Sequence, residues 1–72
     1  MESHELDPNE TIKQLFGEAR RALETTIHFV REASENLSEP DLMRAFCLRA
    51  VDYHEQSETA IRQVLQLLDS RP

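Results

Sequence analysis

Two long stretches of the chain repeat their apolar residues with helical spacing, and the segment between them, "NLSEPD", does not. In the first stretch Ile12, Phe16, Ala19, Leu23, Thr26, Val30, Ala33 and Leu37 alternate at steps of four and three, the signature of a packing seam along an α-helix. Gln14, Arg21, His28 and Glu35 fall opposite that seam, so the outer face of helix one is polar, while Leu15, Ala22 and Phe29 broaden one side of the seam. Gly17 also falls outward, where glycine costs about 1 kcal/mol relative to alanine.

The second stretch carries Met43, Phe46, Ala50, Tyr53, Ser57, Ala60, Val64 and Leu67 at the same alternation, a seam able to face helix one. It also carries a second ladder, Cys47, Val51, His54, Glu58, Ile61, Leu65 and Leu68, rotated from the first. One partner helix covers only one of these. A two-helix hairpin would therefore leave the second ladder exposed, and a second copy packed by two-fold symmetry would cover it. His54 and Glu58, one turn apart at its centre, are placed to pair across such a symmetry axis.

Helix boundaries follow from local chemistry. In "DPNE", Asp7 is placed to cap, Pro8 suits the first helical position and Glu10 completes a capping box. In "LSEPD", Ser38 is placed to cap a second helix, Asp41 puts negative charge at its positive end, and Pro40 forbids one continuous rod. The sequence thus predicts an all-α antiparallel hairpin occupying residues 8–69, with helices over about 8–36 and 39–69, dimerising into a four-helix bundle. Residues 1–7 are expected to be a flexible N-terminus and 70–72 a frayed tail.

Size and charge sharpen that expectation. A chain of 72 residues with one cysteine has no internal disulfide to staple a small core, and its Cys and His spacings match no zinc pattern, which leaves association as the remedy. Eight Lys and Arg among fourteen Asp and Glu give a net charge of −6, which argues against direct grip on nucleic acid or on an anionic membrane. There is no apolar run of spanning length and no basic n-region, so the expected setting is cytoplasmic.

No catalytic, cofactor or metal site emerges. His28 sits on the outward face near Glu24 and Glu32, which predicts a solvated imidazole, and His4 lies before the first helix. Cys47 and His54 are about 10 Å apart along a helix axis, too far for a thiol–imidazole dyad, so Cys47 reads as a small buried hydrophobe.

Residues 51–68, "VDYHEQSETAIRQVLQLL", resemble the last helix of BAR domains of the endophilin and nadrin kind through Tyr53, His54, Gln56, Gln63 and Val64. BAR domains are much longer three-helix units with a basic concave face, whereas this chain is short and acidic, so no membrane bending carries over. The functional expectation is a non-catalytic interaction or adaptor module that acts as a homodimer through Cys47, Val51, His54, Glu58, Ile61, Leu65 and Leu68. The alternative is an acidic regulator whose Glu32, Glu35, Glu39 and Asp41, around the turn, cover a basic, nucleic-acid-binding surface of another protein.

Overall fold

A computed structural model describes residues 8–70 as two helices, α1 (Pro8–Ser34) and α2 (Pro40–Asp69), packed against each other and joined by a five-residue turn. Asp7, His4, the N-terminal segment 1–7 and tail residues 71–72 lie outside the described residues. Pro8 opens α1, Glu10 stands in its first turn and Arg31 in its last, so charges at both ends oppose the helix dipole. Within α1 the helix-poor run Thr25-Thr26-Ile27 is accommodated because both hydroxyls donate to carbonyls one turn back, Thr25 to Arg21 (2.9 Å) and Thr26 to Ala22 (2.8 Å).

The chain leaves α1 without a left-handed residue. Its orphan carbonyls are met instead by the Glu35 amide on Arg31 (3.1 Å), the Asn36 amide on Ala33 (3.1 Å) and the Asn36 Nδ2 on Glu32 (2.7 Å). The second helix starts differently from the sequence expectation. Glu39, not Ser38, occupies the cap position, and no side chain caps the helix. The cause is Pro40, whose ring excludes the preceding residue from helical geometry; Glu39 sits at φ −126° and ψ 85°, and its carbonyl accepts the first helical bond from Met43 (2.9 Å).

Between the helices the contact is made of small side chains. Among the described residues Ala19, Ala22, Ala33, Ala50 and Ala60 are buried together with Leu15, Val64 and Ser57, and no large side chain is fully enclosed. Leu15, Ala19, Ala60 and Val64 form one cluster with Ile12 and Leu67 against it. Toward the turn rings join Ala33 and Ala50: Phe29 stacks on Phe46 (centroids 5.9 Å apart) and on Tyr53 (5.8 Å), while His28 and Phe29 meet at a steep angle with ring centroids 5.1 Å apart.

This is the predicted seam of α2 but not the predicted seam of α1. Met43, Phe46, Ala50, Tyr53, Ser57, Ala60, Val64 and Leu67 are all buried or half-buried. On α1 the ladder facing α2 runs Ile12, Leu15, Ala19, Ala22, Thr26, Phe29, Ala33, whereas Phe16, Leu23, Val30 and Leu37 stand in solvent. The two ladders share Ile12, Ala19, Thr26 and Ala33, so the sequence period alone does not choose between them. Packing does: Ala22 in place of Leu23 lets the helices approach closely, and Phe29 in place of Val30 meets the two rings of α2.

Candidate functional site

Because each helix turns only a narrow stripe toward the other, the hairpin is a plate of 61 × 23 × 12 Å, one helix thick, with two broad faces. The faces differ in chemistry. On one, Glu18 of α1 shares a shallow groove with Asp52, Glu55, Gln56, Thr59 and Gln63 of α2, a surface suited to water. On the other, Leu23 of α1 lines a groove with His54, Glu58, Ile61 and Leu65 of α2, and Phe16 and Leu23 line a second with Ile61.

The second face gathers most of the exposed large apolar residues, although Leu37, Leu42 and Leu48 are exposed outside it. Phe16 (52% exposed), Ile27 (55%) and Val30 (54%) lie along α1, and Val51 (51%), Ile61 (39%), Leu65 (52%) and Leu68 (45%) along α2. Ala19 and Val64 between the helices are 3% exposed. Among the described residues the core is mostly alanine, with Leu15 and Val64, while eleven large apolar side chains stay exposed. Its surface of 5768 Å² exceeds the roughly 4,600 Å² that mass scaling gives a folded chain of this size.

All seven residues of the predicted second ladder are exposed on the hairpin: Cys47, Val51, His54, Glu58, Ile61, Leu65 and Leu68. They do line one side of α2. What the sequence reading lacked is the other half of the face, contributed by Phe16, Leu23, Ile27 and Val30 once α1 turns its alanines inward. The signal was present, since Leu15, Ala22 and Phe29 offered a competing ladder, but only packing against α2 ranks the two.

Polar chemistry on this face centres on Glu58. Arg62, one turn on, donates to its Oε2 from Nη2 (2.7 Å) and Nε (3.1 Å). That bond, the Arg62 charge and, less strongly, the His54 charge hold the Glu58 carboxyl below its ordinary range, against a small opposing effect of desolvation. Both Arg62 bonds fall on Oε2. His28 is exposed and lies edge-on to Phe29, and the Arg49 guanidinium lies 6.0 Å from the same ring.

Among the described residues, no three of His, Cys, Asp and Glu are grouped to hold a metal ion, and no helix is long and apolar enough to cross a membrane. No family model, curated protein or solved structure matches the chain, so the BAR-like residues of α2 carry no further argument.

Proposed function

We propose that the protein is a non-catalytic interaction module that works as a homodimer, two hairpins joining their apolar faces into a four-helix bundle in the cytoplasm. The observation that carries this reading is the inversion of side-chain size, alanines between the helices and Phe, Leu, Ile and Val on one outer face. Sedimentation equilibrium with far-UV circular dichroism tests it: a dimer at micromolar concentration whose helicity falls on dilution is expected, and a folded, fully helical monomer at high dilution would overturn it.

A second reading is favoured by one observation, the exposure of Glu35, Glu39 and Asp41 at the turn end of a chain with net charge −6. There the protein would regulate a basic, nucleic-acid-binding partner through its tip. Such a complex would dissolve as salt is raised, whereas an apolar dimer would not.

A further inference from the structure

Resting on that self-association, we propose that the second copy stacks with its turn at the same end of the bundle, so that each α1 lies over the partner's α2. Two stackings of a two-faced plate have two-fold symmetry. With the axis across the helices, α1 covers the partner's α1 and the turns lie at opposite ends. With the axis along the helices, α1 covers the partner's α2, the turns lie together, and no slide along the bundle is allowed by symmetry. Every α1 residue must then fit whatever stands level with it on α2.

Those levels are set by the hairpin itself. Leu15, Ala19, Ala60 and Val64 cluster near the free end, and Phe29 stacks between Phe46 and Tyr53 near the turn. This antiparallel register places Phe16 level with the gap between Ile61 and Leu65, and Ile27 level with Val51. Leu23 is level with the gap between His54 and Glu58. In the turns-together stacking, Phe16 therefore enters between the partner's Ile61 and Leu65, and Ile27 and Val30 meet the partner's Val51 and Cys47, where smaller side chains leave room.

Charge separates the two stackings. The outer edge of the apolar face on α1 carries Lys13, Arg20 and Arg31 with Glu24; the corresponding edge of α2 carries Glu58 and Asp69 with Arg44 and Arg62. Turns together, Arg20 stands about one residue along the axis from the partner's Glu58, and Lys13 about three from the partner's Asp69, within reach of long side chains. Turns apart, two α1 edges that each carry three cations and one acid oppose each other, a net like charge at the rim, although the register that sets Lys13 against the partner's Arg31 also sets Arg20 against the partner's Glu24. Glu58, held ionised by Arg62, is an acceptor ready for the partner's Arg20.

The test places a nitroxide at the exposed turn, using Ser38→Cys in a Cys47→Ser background, and measures the dipolar distance between the two copies of the dimer. Turns together puts the labels within about 20 Å, the diagonal of a four-helix bundle plus the label arms; turns apart puts them about 45 Å or more away, the length of the helices. The short distance supports the proposal and the long one overturns it. A sample that sediments as a monomer, with no dipolar coupling, would instead overturn self-association and this arrangement with it.

Discussion

At the scale of single residues, Gly17 and Glu58 show how local surroundings decide a side chain's effect. Gly17 lies in mid-helix without a positive φ, and a Cβ there would meet nothing nearer than Arg21 Nη1 at 3.8 Å. Gly17→Ala should stabilise the protein by about 0.5–1 kcal/mol, seen as a higher denaturation midpoint with unchanged slope. Glu58 has its carboxyl pKa depressed chiefly by the Arg62 hydrogen bond and charge. Folding therefore gains from this group above its unfolded-state pKa, and loses that gain as pH falls through the lower folded-state value. Carboxyl NMR titration should find Glu58 below the ordinary glutamate range and Arg62→Ala should return it upward; an unmoved titration would mean the pair does not persist in solution.

At the scale of elements, the turn and the seam each make a distinct prediction. Ser38 caps nothing, while the Asn36 side chain donates from Nδ2 to the Glu32 carbonyl at 2.7 Å. Ser38→Ala should thus stay within about 0.5 kcal/mol of the parent, and Asn36→Ala should cost about 1 kcal/mol. Equal losses from both would restore Ser38 to the cap role that its sequence position suggested. In the seam, Ala19 is buried in the alanine-lined contact and has no room to grow. Ala19→Leu should destabilise the hairpin by about 1–3 kcal/mol in chemical denaturation, because overpacking forces the helices apart. A stabilised variant would indicate a looser contact and the alternative ladder of α1.

For the whole molecule, the governing fact is that a plate 12 Å thick has no inside large enough for Phe16, Leu23 or Leu65. Its radius of gyration, 17.0 Å, is well above the roughly 11 Å of a compact chain of this length. Burial of the large residues therefore requires a second layer. Leu65→Asp should raise the dimer dissociation constant at least a hundredfold by placing a charge in apolar contact, while Glu24→Ala should change it less than threefold. Sedimentation of the two variants side by side decides the matter, and equal effects would show that the apolar face is not the interface.

Much of this was legible from residue order. Pro40 dictated the break between helices because a proline expels its predecessor from helical geometry wherever it sits, and the period of Met43 to Leu67 dictated the inner face of α2 because its competing ladder is interrupted by His54 and Glu58. The α1 face could not be read the same way. Its two ladders share every second member and differ by Leu15, Ala22 and Phe29 against Phe16, Leu23 and Val30, all tolerable in a core. Periodicity measures only where apolar residues recur. Which ladder turns inward depends on how closely two helices can approach and on which rings meet, and those quantities exist only once Phe29 stands between Phe46 and Tyr53. The same rotation set Phe16 and Leu23 beside Ile61, and Leu23 beside Leu65, so the second ladder of α2 was written in the sequence, and the broad face it belongs to was decided by the tertiary packing.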